Sequence, residues 1–193
     1  MIRWLWVLAL LSGPATAQDL PAMFSVTGVN PGDVLNIRQQ PDAGSGILGE
    51  LAPDATGVEI VQRSDDGKWG QVAFGESTGW VSTRYLEIEP SSFQLAEKLQ
   101  CLGAEPFWSL GIAQGKAAQF DTPDGKTQFL PAGELQPAKG RSHRFLLQLG
   151  DDVIAILRQE ICTDGMSDRV FGIDADLVMP DGQLLTGCCR LLP

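Results

Sequence analysis

Asp65-Asp66-Gly67-Lys68-Trp69-Gly70-Gln71-Val72-Ala73-Phe74-Gly75-Glu76-Ser77-Thr78-Gly79-Trp80-Val81 decides the fold of the first half of the chain. Asp65 to Lys68 has the chemistry of a hairpin turn, because the Asp-Gly pair tolerates the backbone that tight turns demand. Trp69 to Phe74 leaves that turn as a strand, Gly75-Glu76-Ser77 reverses the chain, and Thr78 to Val81 returns as another strand. Trp80 and Val81 are neighbours on a strand, so they face opposite sides and only one reaches a core. The same rhythm continues outward. Val34 to Arg38, Ile47 to Leu51 and Val58 to Val61 read as strands, separated by the loop Pro41 to Gly46 and the turn Pro53 to Gly57. Five short strands with tight turns between residues 24 and 88 predict a small β-barrel.

The start of the chain reads as an address. Arg3 is the only charge in the first seventeen residues, and it precedes the apolar stretch Leu5 to Leu11. Ser12, Gly13, Pro14 and Ala15-Thr16-Ala17 follow. A charged start, a short apolar run and a small-x-small site describe a secretory signal peptide over residues 1–17, cleaved before Gln18. The run falls short of the roughly 20 apolar residues that span a bilayer. No later stretch is apolar enough to do so, so a mature chain without a transmembrane segment is expected. Loss of Arg3 takes the formal charge from −10 to −11. Such a surface repels nucleic-acid phosphates and anionic lipid, so neither is an expected partner. The four cysteines, Cys101, Cys162, Cys188 and Cys189, all lie in the C-terminal half. An even count in an exported chain predicts two disulfides. With one histidine and no C-x-x-C pair, no metal site is expected.

Glu89-Pro90-Ser91-Ser92 reads as the boundary between a module at 22–89 and a second at 90–193. A short helix, Phe93 to Leu99, is expected after it. Trp108, Leu110 and Ile112 then alternate with Ser109 and Gly111, as in a half-buried strand. Turns at Thr122-Pro123-Asp124-Gly125, Gly150-Asp151-Asp152 and Met179-Pro180-Asp181-Gly182 join further β-rich runs. Six to eight antiparallel strands follow, and the whole chain is expected to be all-β, a small barrel followed by a small disulfide-stapled antiparallel barrel.

The first module resembles the bacterial SH3 domain. The resemblance rests on Leu35-Asn36-Ile37-Arg38 with Pro41, Ile47-Leu48-Gly49, Gly67 to Val72, Thr78-Gly79-Trp80-Val81 and Tyr85-Leu86. It implies a five- or six-stranded barrel that binds peptides or peptidoglycan in envelope proteins, without catalysis. Trp69 and Tyr85, with Asp65 and Asp66 nearby, form a candidate groove for a peptide amine or a sugar face. Arg38 is expected to brace the following loop and is not counted as a ligand group.

Three clusters in the second module, Cys101 to Leu110, Cys162 to Arg169 and Leu185 to Arg190, resemble an uncharacterised family of exported bacterial proteins, distantly META-like. Its marks are G-x-E-P-F-W, C-x-D-x-M-S-D and a G-C ending. This chain departs from it in carrying Phe171-Gly172 after the Asp-Arg pair, and in lacking a lipobox. The resemblance implies a compact β-barrel and favours Cys162–Cys188 with Cys101–Cys189. Adjacent cysteines on a strand point to opposite faces and reach different partners; the opposite assignment and a vicinal bridge remain open. Asp164, Asp168 and Arg169 around Met166 form a candidate ligand loop, with Glu105 and Trp108 brought near by the Cys101 staple.

No catalytic set is visible. His143 sits in the basic loop Lys139 to Arg144, away from any serine-aspartate pattern. Asp174 and Asp176 share a strand face without a mark of acid-base work, and no phosphate loop or cofactor motif occurs. The expectation is a non-catalytic periplasmic binding or scaffold protein, with peptidoglycan or an envelope peptide or protein as partner. The alternative is a periplasmic inhibitor of the lysozyme-inhibitor kind, or an envelope stress protein.

Overall fold

The computed structural model describes residues 20–92 and 96–193. The expected signal peptide and its cleavage point lie outside the described residues. So does the start of the expected helix at Phe93; its end is not helical, because Lys98 and Leu99 open a strand.

Among the described residues the first module holds eight strands: β1 (Ala22–Val26), β2 (Leu35–Arg38), β3 (Ile47–Leu51), β4 (Val58–Ile60), β5 (Gln62–Arg63), β6 (Trp69–Phe74), β7 (Ser77–Ser82) and β8 (Leu86–Ser92). They form two antiparallel sheets, β4-β1-β8 and β3-β2-β7-β6-β5. A single turn of 3₁₀ helix, Thr83–Tyr85, passes from one sheet to the other. Period-2 alternation sends Leu35, Ile37, Val58, Ile60, Val72 and Val81 inward to join Phe24 and Val26. Val81 is fully buried and its neighbour Trp80 is not. The stretch Glu89–Ser92, expected as the boundary between modules, forms the end of β8. Pro90 is tolerated there because β8 pairs only with β1 and needs no second ladder.

The second module is one nine-stranded antiparallel sheet. Its strands are β9 (Lys98–Ala104), β10 (Phe107–Ala113), β11 (Ala117–Asp121), β12 (Thr127–Pro131), β13 (Gln136–Ala138), β14 (Arg141–Leu149), β15 (Val153–Thr163), β16 (Val170–Val178) and β17 (Leu184–Leu192). The spatial order is β12-β11-β10-β9-β17-β16-β15-β14-β13, so β17 returns to pair with β9. The sheet curls until Ala132 bridges Leu149. There Gly133 N donates to Gln148 O (2.9 Å) and Gly150 N to Pro131 O (2.8 Å). Inward-facing Leu99, Leu110, Phe120, Phe145, Leu157 and Ile173 fill the curl. Fully burying each such side chain stabilises the fold by roughly 1.5–3 kcal/mol. His143 is not in a loop: β14 begins at Arg141 and includes it.

The cysteines pair Cys101 with Cys189 and Cys162 with Cys188. Cys188 and Cys189 sit on successive positions of β17 and leave it on opposite faces. Cys189 lies directly opposite Cys101 on β9 and faces the core. Cys188 lies beside Asp174 and joins the end of β15.

The two modules touch along one seam. Met23 of β1 packs into the core of the second module. Thr78 Oγ1 donates to Asp168 O (3.0 Å) and accepts from Val170 N (2.8 Å). Glu59 Oε1 accepts from Leu191 N (2.8 Å). Among the described residues, no helix is long and apolar enough to cross a membrane.

Candidate functional site

The first site is a groove of about 410 Å³ on the first module. One wall is Trp69 at the start of β6, where the Asp-Gly turn ends; another is Tyr85 on the 3₁₀ turn. Both aromatics are partly exposed, as a binding face requires. The remaining walls come from the β1–β2 loop and from β2, including Asn30, Asp33, Asn36 and Arg38. Ala43, Ser82 and Arg84 complete the lining. Arg38 Nη1 donates to Ser45 O (2.7 Å), so it braces the loop after β2 while also facing the groove. The guanidinium of Arg84 lies 5.7 Å from the centre of the Tyr85 ring, within the range of a cation–π contact.

Asp65 and Asp66 do not line this groove. Both are exposed in the turn ahead of Trp69. Asp66 accepts from Ser64 Oγ (2.7 Å) and Lys68 N (3.0 Å), and it pairs with Lys68 Nζ at 3.2 Å. The Ser64 hydroxyl, followed by the Lys68 amide and side chain, holds its carboxyl down at about 2. Its role is to hold the turn. The polar lining of the groove comes instead from Asn30, Asn36, Arg38 and Arg84, residues that short-range sequence patterns did not place together.

The second site is a cavity of about 440 Å³ on the second module. Ala104 and Glu105 from the β9–β10 turn, Thr163 to Met166, and Thr186 to Cys188 converge on it, with Asp174 at its side. The three sequence clusters thus meet in one place, on the outer face carrying the Cys162–Cys188 bridge. Asp164 shapes the loop: its Oδ1 accepts from Met166 N (3.0 Å) and Ser167 N (2.9 Å). Those amides hold its carboxyl below the usual range. Asp174 and Asp176 both accept from the guanidinium of Arg158, which places them in an ion-pair ladder rather than an acid-base pair.

Trp108 does not join this cavity. It faces inward, 4% exposed, with its ring 6.2 Å from that of Phe120. Its Nε1 has no hydrogen-bond partner among the described residues. Asp168 is exposed, and its carbonyl belongs to the Thr78 contact. Arg169 turns toward the seam between modules and lies over the Phe171 ring at 5.0 Å. Burial, followed by the nearby Arg190, lowers its pKa, and Glu59 and Asp164 oppose that shift. The candidate ligand loop therefore divides: Glu105 and Asp164 line a cavity, while Asp168 and Arg169 face the first module.

No curated protein matches the chain. The segment that builds most of the groove, residues 33–87, matches the family model described as the bacterial SH3 domain. The first module of this chain therefore contains a bacterial SH3 domain.

Proposed function

We propose that this is a non-catalytic binding protein of the cell envelope, exported by its leader, whose SH3 groove takes a peptide or peptidoglycan segment. The observation that carries the reading is the groove itself, where Trp69 and Tyr85 offer partly exposed aromatic faces inside the segment matched by the bacterial SH3 model. Aromatic faces beside a few polar groups suit ligands with apolar and hydrogen-bonding parts. The disulfides favour an oxidising compartment, since glutathione keeps cytosolic thiols reduced. The second module contributes a separate binding surface at the cavity around Glu105 and Asp164, for a ligand or protein of its own. Pull-down of the full chain on purified sacculi tests the groove. Wild type is expected in the pellet, and Trp69→Ala and Tyr85→Ala are each expected to shift most of the protein to the supernatant. Sedimentation of both variants like the wild type would discard the groove.

A further inference from the structure

The charge of the groove runs against that of the molecule. The chain has 24 acidic and 14 basic side chains, yet the groove gathers Arg38 and Arg84 against one carboxylate, Asp33. Among the described residues neither guanidinium has a carboxylate within ion-pair distance; the four ion pairs involve Lys68, Lys126 and Arg158. Arg84 is exposed, stacked on Tyr85. Arg38 uses one nitrogen on the Ser45 carbonyl and keeps further N–H donors. Asp33 already accepts from Val34 N at 2.8 Å. The Asp65–Asp66 pair, which would have favoured an amine, lies outside.

Resting on the groove reading above, we infer that the SH3 groove selects a peptide bearing a free carboxylate, with Arg84 and Arg38 as the anchors of that group. A guanidinium presents a planar fork of donors that matches a carboxylate. Asn30, Asn36 and Ser82 supply donors and acceptors for the peptide amides beside it. Trp69 and Tyr85 cover the apolar part of the ligand. A phosphate polymer would offer the same guanidiniums a charge. However, its repeated anions would meet Asp33 and a surface of net charge −10, which disfavours it. A single carboxylate on an otherwise neutral backbone does not meet that repulsion.

The test is calorimetry of the full chain with two synthetic peptidoglycan stem peptides whose side-chain carboxylates are amidated, identical except that the terminal carboxylate is free in one and amidated in the other. Soluble polyphosphate is run as a competitor. The free form is expected to bind about tenfold or more tightly than the amidated form, the effect of losing one charge-assisted contact. Arg84→Gln is expected to bring the free form down to the amidated level, and Arg84→Lys to restore part of the difference. Equal binding of both peptides, still lost in Trp69→Ala, would overturn the carboxylate selection and leave the groove intact. Binding unchanged in both Trp69→Ala and Arg84→Gln would overturn the groove reading as well. Displacement of the peptide by polyphosphate at equal charge concentration would replace the carboxylate with a phosphate ligand.

Discussion

Trp108 lies flat inside the second module because two facing positions carry no side chain. Gly103 is its register partner on β9, and Gly103 is also opposite Gly187 on β17, as the Cys188–Leu102 pairing dictates. A Cβ at Gly187 would stand 2.7 Å from Trp108 Cζ2 and would overlap the Leu102 carbonyl oxygen. The second neighbour is backbone inside a paired strand and has little room to retreat. Gly187→Ala is therefore expected to lower stability by about 3 kcal/mol, the upper end of overpacking costs, measured by urea unfolding. Gly111→Ala, whose Cβ meets nothing, serves as the control. The position of Trp108 shows the reach of a linear reading. Its strand was legible from the alternation of Trp108, Leu110 and Ile112. Its expected place beside the ligand loop was wrong, because the Glu105-Pro106 turn leaves Glu105 on the cavity while Trp108 joins Leu110 and Ile112 on the buried face.

Strands announce themselves when turns and alternation agree. The β6–β7 hairpin was legible because Asp66-Gly67 and Gly75-Glu76-Ser77 bracket alternating runs. By contrast, β5 has two residues and no period of its own. In β1, Ala-Met-Phe-Ser-Val buries four of five positions on both faces, so it shows no alternation. The expected helix ending at Leu99 was displaced by β9, which pairs with both β10 and β17; tertiary pairing overrides a local preference. Element placement also separates the two disulfides. Cys101, Cys188 and Cys189 are all buried, whereas Cys162 is partly exposed and its bridge to Cys188 lines an open cavity. Mild dithiol treatment of the native protein is expected to open Cys162–Cys188 first, read as alkylation of those two cysteines by peptide mass mapping. Replacing that pair by alanines is expected to cost about 3.5 kcal/mol on the loop-entropy model, for a separation of 26 residues. The seam offers a further check. Thr78→Val leaves Asp168 O and Val170 N without their shared hydroxyl, and a cost of about 1–2 kcal/mol is expected. Amide exchange at Val170 should accelerate accordingly.

At the scale of the molecule, the join between modules depends on a carboxyl group. Glu59 sits on β4, where burial pushes its carboxyl up to about 7, against the pull of the Leu191 amide and of Arg169 and Arg190. Met23 faces it from β1 as its register partner. A folded value above the ordinary 4.5 means that the native state holds this proton more tightly than the unfolded chain. The resulting stability is fully present below about pH 4.5 and is lost as pH rises through about 7. It amounts to about 3 kcal/mol across that window. Asp66 and Asp124 shift the other way, to about 2, so their contribution is lost only below the usual carboxylate range and does not overlap. Urea unfolding from pH 4.5 to 7.5 is expected to show falling stability in the wild type and a nearly flat profile in Glu59→Gln. None of this seam was legible in advance. Glu59 and Leu191 are 132 positions apart, and only the packed modules bring them together.

The adjacent cysteines of β17 also set an order of assembly. Synthesis runs from the amino end, so Cys101 and Cys162 emerge well before either of their mates. During that interval the only bridge those two thiols can make within the chain is with each other, and the finished molecule has no such bond. The chain must therefore either keep both reduced until residues 188 and 189 arrive or undo an early Cys101–Cys162 bridge by thiol–disulfide exchange afterwards.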